Sequence, residues 1–162
     1  MKTCLLVLGL VLSVLHAAAQ SGPDNCVFCA IAAGKLPAEI VYRDDAVIAF
    51  MDHAPRNPGH LLVVPLSHSV NVLDTPPETW AHVATVAQRL ALALQHTDLS
   101  AEGFNFISNA GLAADQSVFH LHLHVVPRFT GETTIEGPLP RAAPGDLAAN
   151  AAKIRAALRQ PE

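Results

Sequence analysis

Short apolar runs alternate along this chain with polar breaks rich in proline and glycine. The most regular run is His120-Leu121-His122-Leu123-His124-Val125-Val126, in which three histidines alternate with apolar residues. Period-2 alternation marks a strand whose successive side chains point to opposite faces. His120, His122 and His124 then share one face, roughly 6–7 Å apart, and Leu121, Leu123 and Val125 share the other. This strand is expected from about Ser117 to Pro127. Ile40–Arg43 and Ala46–Met51 read as a hairpin turned at Asp44-Asp45. Asp52–Gly59, with Pro55, Pro58 and Gly59, reads as a loop, and His60–Pro65 as a near-continuous apolar strand buried on at least one face. Gly103–Ser108 reads as a further strand. Cys26–Gly34 suits a short helix stopped by Gly34.

Thr75-Pro76-Pro77-Glu78 reads as the start of a long helix, with Thr75 as N-cap and Glu78 completing a capping box. Trp80, Val83, Ala87, Leu90 and Leu94 recur at spacings of three and four, so one face packs on the sheet as far as about His96. His82 and His96 are expected on its solvent side. Asp146–Arg159 reads as a C-terminal helix, and 130–144 as a loop. Hairpin-linked strands with one long helix predict a single α+β domain built on an antiparallel sheet.

Composition changes this picture at the N-terminus. Lys2, the apolar run from Leu5 to about Leu15, and Ala17-Ala18-Ala19 form the three parts of an export signal. The run is too short for a comfortable membrane span. Residues 1–19 are therefore expected to be a signal peptide and 20–162 the domain, with a core at about 26–127 and a C-terminal extension at 128–162. The mature chain is expected to be periplasmic or secreted, without a membrane partner. The formal net charge is −4 and no basic stripe is present, which argues against binding a nucleic-acid polymer and leaves a single nucleotide as a possible ligand. Cys26 and Cys29 form a CxxC pair that fits either half of a zinc site or, in an oxidising compartment, a disulfide.

A row of imidazoles on one rigid strand suits phosphoryl chemistry. A neutral imidazole attacks phosphorus through its bare nitrogen, while its other nitrogen holds a proton directed at an acceptor. A neighbouring ring can then stabilise the phosphate oxygens.

The histidine run resembles the signature of the histidine-triad (HIT) nucleotide-binding family. Gln116-Ser117-Val118, Pro58-Gly59-His60-Leu61-Leu62-Val63-Val64-Pro65 and Ile48-Ala49-Phe50-Met51-Asp52 support the resemblance. Cys26-Val27-Phe28-Cys29-Ala30-Ile31 and Gly34-Lys35-Leu36-Pro37-Ala38-Glu39 are similar to the bacterial Hit branch. The resemblance implies a HIT-like fold and hydrolysis at the α-phosphate of a nucleotide conjugate, of the phosphoramidase or dinucleoside-polyphosphate type. It implies His122 as the nucleophile that becomes nucleotidylated, His124 on the α-phosphate oxygens, and His60 completing the catalytic group. Ser117 would stand near the leaving group and Gln116 near the phosphate. Asp52 would bind the ribose hydroxyls, His53 would lie beside the base, and Asn109 would belong to the phosphate site. No metal is needed for that reaction. Cys26, Cys29, His68 and His120 match the ligands of a structural zinc in some bacterial members. Family members are typically homodimers.

Two positions depart from the family pattern. Asp115 stands where relatives commonly have glycine, and Leu66 where lysine is usual. Both lower the local positive charge and bear on nucleotide affinity. Two other functions compete with the hydrolase: a non-catalytic nucleotide-binding protein, and a strand-borne histidine site of a zinc or iron enzyme.

Overall fold

The computed structural model describes residues 22–132 and 146–159. The export signal expected at residues 1–19 and most of the loop expected after Thr130 lie outside the described residues. Five strands form one antiparallel sheet: β1 (Ile40–Arg43), β2 (Val47–Met51), β3 (Leu61–Pro65), β4 (Gly103–Ile107) and β5 (Leu123–Arg128), in the order β1-β2-β3-β5-β4. Among the described residues, three α-helices accompany it: α1 (Val27–Ala32), α2 (Pro77–Gln95) and α3 (Leu147–Ala157). This is the α+β HIT-like architecture expected from the sequence.

The strand periodicity explains the two layers. Val47, Ala49 and Met51 of β2, Leu61 and Val63 of β3, and Leu123 and Val125 of β5 face α2, where Val83, Val86, Ala87, Leu90 and Leu94 meet them. Ile48, Phe50, Leu62 and Val64 point the opposite way and pack with Phe28 and Ile31 of α1. Strands β2 and β3 are thus apolar on both faces, which is why their sequences do not alternate. Ala151 and Ile154 of α3 are fully buried in the α2-side core, so the C-terminal helix is part of the core.

Three local expectations change. Helix α2 starts with Pro76 as N-cap and has no side-chain cap. The Thr75 hydroxyl donates to the Asn71 carbonyl at 2.7 Å and lies 2.6 Å from the Ser69 hydroxyl, so it braces the preceding loop. His82 is not simply solvated, because its Nε2 lies 2.7 Å from the Asp44 carboxylate. The histidine strand is also shorter than expected. β5 begins at Leu123, because β3 stops at Pro65, which has no N–H to extend a ladder. Ahead of it the chain is held by the Leu121 N–H on the Ser69 carbonyl (2.7 Å) and by the Ser108 hydroxyl on the His122 carbonyl (2.9 Å).

Candidate functional site

Register places the histidines. Leu62 of β3 pairs with His124 of β5, and Phe50 of β2 pairs with Leu62, so these three share the α1 face. Residues two positions away along each strand share that face. Asp52 therefore joins it just past β2, His60 just before β3, and His122 just before β5. The Asp52 N–H donates to the His60 carbonyl at 3.0 Å, which extends the β2–β3 pairing by one step. Gly59 makes the turn into His60 at φ +86°, and a Cβ there would lie 2.9 Å from Leu94 Cδ2.

Backbone hydrogen bonds fix the proton on each ring. His122 Nδ1 donates to the His120 carbonyl at 2.7 Å, so Nε2 is bare. The Arg56 N–H donates to His60 Nδ1 at 3.1 Å, which places the His60 proton on Nε2. From there it is donated to His124 Nδ1 at 3.0 Å, and the His124 proton is left on Nε2. The outcome is one nucleophilic nitrogen on His122 and one N–H donor on the adjacent His124, with ring centroids 4.9 Å apart. Burial pushes His60 down to about 4, partly opposed by Asp52. Burial, then the neighbouring rings of His122 and His60, push His124 down to about 3. Burial also lowers His122. These rings are neutral near pH 7.

A cavity of about 1140 Å³ opens over this face. Of the residues expected at the site, Asp52, His53, His60, Asn109, Ser117, His122 and His124 line it. Asp52 Oδ1 accepts the Ala54 N–H at 2.8 Å, and Oδ2 lies 3.5 Å from His60 Nε2. Gln116 is not brought to the cavity. It is 2% exposed; its Nε2 donates to the Val70 carbonyl at 2.6 Å and its Oε1 accepts the Gly111 N–H at 2.7 Å. It braces the wall from behind. Leu66 packs against the α1-side core and does not line the cavity, so its loss of charge lies away from the ligand space. Asp115 does line it.

Sequence reasoning did not single out three contributors. Phe28 sets its ring edge-on to His122 at 5.2 Å and to His120 at 6.0 Å. Arg56 contributes its main-chain N–H. Leu147 of α3 lines the cavity. The apolar position of Phe28 beside the cysteines was visible, but a main-chain donor and a contact from α3 leave no mark in residue type.

A second cluster lies beneath the first. Donor atoms of Cys26, Cys29, His68 and His120 all fall within 4.8 Å of one another. Sγ of Cys26 is 3.2 Å from His120 Nδ1, and Sγ of Cys29 is 3.3 Å from His68 Nδ1. A tetrahedral zinc with ordinary bond lengths sets such sulfur–nitrogen edges at roughly 3.5 Å. Cys26 and Cys29 are free thiols. His120 Nε2 donates to the Pro65 carbonyl at 3.0 Å, which leaves Nδ1 bare and aimed at the sulfurs. A ligand imidazole held by a carbonyl through its other nitrogen is the usual support around a metal. Burial, then the Cys26 thiol, push Cys29 up to about 11, so a metal must displace its proton. The set fits a structural divalent metal with four protein ligands.

Asp52, His60 and His124 also bring donor atoms within 4.8 Å, the layout of a strand-borne cation site. The Arg56 N–H argues against that use, because it keeps the proton on His60 Nε2, where a metal would bind. His60 and His124 are instead joined by a hydrogen bond, with the Asp52 carboxylate 3.5 Å from His60 Nε2.

An antiparallel five-stranded sheet presenting alternating histidines to a cavity defines a histidine-triad protein. The chain belongs to the HIT domain family, whose model matches residues 33–131. It is 42% identical over 139 residues to an uncharacterized HIT-like protein of Mycobacterium tuberculosis, covering 85% of this chain and 95% of that one. An uncharacterized HIT-like protein of the archaeon Methanocaldococcus jannaschii is 37% identical over 107 residues, covering 66% of this chain and 81% of that one. With an archaeal relative this similar, the family is set but a bacterial branch is not. Among solved structures, a zinc-bound histidine triad family protein from Mycobacterium smegmatis superposes with a TM-score of 0.76 at 44% identity, over 85% of this chain and 95% of that one.

Proposed function

We propose that this chain hydrolyses nucleotide conjugates at the α-phosphate through a nucleotidyl intermediate on His122. The observation carrying the reading is the 2.7 Å bond from His122 Nδ1 to the His120 carbonyl, which leaves Nε2 as the lone pair on the cavity side. Nε2 attacks phosphorus as the leaving group departs, taking a proton supplied through Ser117 from water. His124 Nε2–H meets a phosphate oxygen. Water then attacks phosphorus and returns His122 with a nucleoside monophosphate. Asp52 receives the ribose hydroxyls on lone pairs the Ala54 N–H does not use, His53 lies beside the base, and Asn109 supports the phosphate. Mixing the protein with an adenosine phosphoramidate tests this reading. A mass increase of one nucleotidyl group on His122 is expected, and unchanged turnover in His122→Ala overturns it.

We also propose zinc on Cys26, Cys29, His68 and His120. Its role there is structural, closing the N-terminal helix onto the segment that carries the nucleophile. The zinc-bound Mycobacterium smegmatis relative and the donor cluster support it, and metal analysis of the purified chain tests it. The same cluster favours a second reading, a zinc-clipped nucleotide-binding protein without turnover. Nucleotide affinity with no adduct and no product would select it.

The export signal in residues 1–19 supports a periplasmic or secreted mature chain, and N-terminal sequencing of the exported product tests this. The resemblance to HIT proteins supports a homodimer, as does Phe106 on edge strand β4, 48% exposed. Sedimentation velocity tests it.

A further inference from the structure

The sheet order β2-β3-β5-β4 spreads the site across the cavity in sequence. Asp52 comes from the end of β2, His60 from the start of β3, and His122 and His124 from β5. Asn109, Asp115 and Ser117 come from the β4–β5 connection on the far side. A nucleotide whose ribose lies at Asp52 and whose phosphorus lies at His122 must send its leaving group toward that connection. The cavity, at about 1140 Å³, exceeds the size usual for a small-molecule pocket and has room for one.

Asp115 is held firmly there. It ends the single turn Leu112–Ala114 in a left-handed conformation, φ 60° and ψ 27°, one that aspartate and asparagine tolerate better than most residues. Buried Gln116 anchors that turn through Gly111 and Val70. The Asp115 carboxylate has no hydrogen bond or ion pair with any described residue. Among the described residues, the acidic and basic side chains lining the cavity are Glu39, Asp52 and Asp115 against Arg56. Such a wall repels a polyphosphate tail and attracts a cation.

We propose that Asp115 is a specificity-determining residue that selects conjugates whose leaving group carries an ammonium: a nucleoside monophosphate joined through a P–N bond to a diamine or a basic side chain. This rests on the hydrolase reading above. In the step concerned, the His122 Nε2–P bond forms, the P–N bond breaks, and the departing nitrogen takes a proton from water through Ser117. The distal ammonium, paired with Asp115, remains charged throughout. One exposed charge pair gives discrimination on the order of tenfold at low ionic strength, falling as salt screens it.

The test compares the adenosine 5′-phosphoramidates of 1,3-diaminopropane and of propylamine, which differ by one charged group, together with diadenosine tetraphosphate. kcat/KM is measured for the wild type and Asp115→Asn at low and high salt, and Kd for the two amides is measured in His122→Ala with Asp115 present or replaced. Asparagine keeps the left-handed turn. We expect the diamine conjugate to lead its neutral partner by about tenfold in the wild type, with the tetraphosphate poorest. The lead should shrink with salt and vanish in Asp115→Asn. Equal preference in the wild type and Asp115→Asn overturns the assignment. Absence of turnover with a charge-dependent Kd overturns the hydrolase reading alone, leaving Asp115 as a binding selector. Absence of both turnover and binding overturns both.

Discussion

His122 takes its orientation from the backbone of His120: Nδ1 of one lies 2.7 Å from the carbonyl oxygen of the other. The His120 side chain meanwhile turns to Cys26 at 3.2 Å. One residue thus joins the metal-type cluster to the reactive ring. On the proposed function, removing the proposed zinc or replacing Cys29 by serine is expected to lower turnover at least tenfold and to reduce Tm by on the order of 5 °C or more. Metal content, turnover and thermal melting measured on the same sample check this. Unchanged turnover in metal-free, folded protein would separate the two sites.

The three rings of the reactive cluster have unequal roles. His122→Ala is expected to reduce turnover by about 10³-fold or more and to abolish the nucleotidyl adduct. His124→Ala removes the proposed phosphate donor and is expected to cost about 10²-fold while the adduct still forms. Rapid-quench mass spectrometry distinguishes the two outcomes.

His60 and His124 make stability depend on acidity. Burial lowers His60 from 6.5 to about 4 and His124 from 6.5 to about 3. Below pH 6.5 the unfolded chain binds protons that the folded chain resists, so stability falls with acid and levels off only beneath the folded values. Full stability is expected above about pH 6.5. The loss down to about pH 4 has an upper bound on the order of 3 kcal/mol from His60 alone. Urea midpoints between pH 4 and pH 8 measure it, and His60→Gln should flatten the curve.

Gly59→Ala should destabilise the domain by about 1–3 kcal/mol. The new methyl meets Leu94 at 2.9 Å, and the backbone stands at φ +86°, which L side chains rarely adopt. Because Gly59 also delivers His60, nucleotide affinity should weaken along with the urea midpoint.

Gln116→Leu should lower stability by about 1–3 kcal/mol, since the replacement leaves the Gly111 N–H and the Val70 carbonyl without their partner. A thermal melt checks this. A loss of nucleotide affinity with no loss of stability would restore Gln116 to the phosphate site.

The fold was legible because its strands are short apolar runs and its long helix has a clear three-and-four spacing. The two faces of β5 follow directly from its period-2 sequence, whereas β2 and β3, apolar on both faces, announce only that the sheet is covered on both sides. The Cys26, Cys29, His68 and His120 cluster was visible only through resemblance, since Cys29 and His68 are 39 positions apart and meet through tertiary packing. The limits of β5 were not legible, because they depend on where its neighbour β3 loses an N–H at Pro65. Thr75 misled for a related reason: it carries the residue type suited to a cap, but its hydroxyl is engaged by Ser69 and Asn71 of the preceding loop.

Helix α3 bears on how this protein can be handled. Leu147 stands in the cavity wall while Ala151 and Ile154 sit fully buried in the core. The tail is therefore a keystone rather than a trailing end. A shortened form stopping at Glu132 would lose both a wall of the cavity and two plugs of the core, so inactivity in such a fragment would say nothing about the histidines.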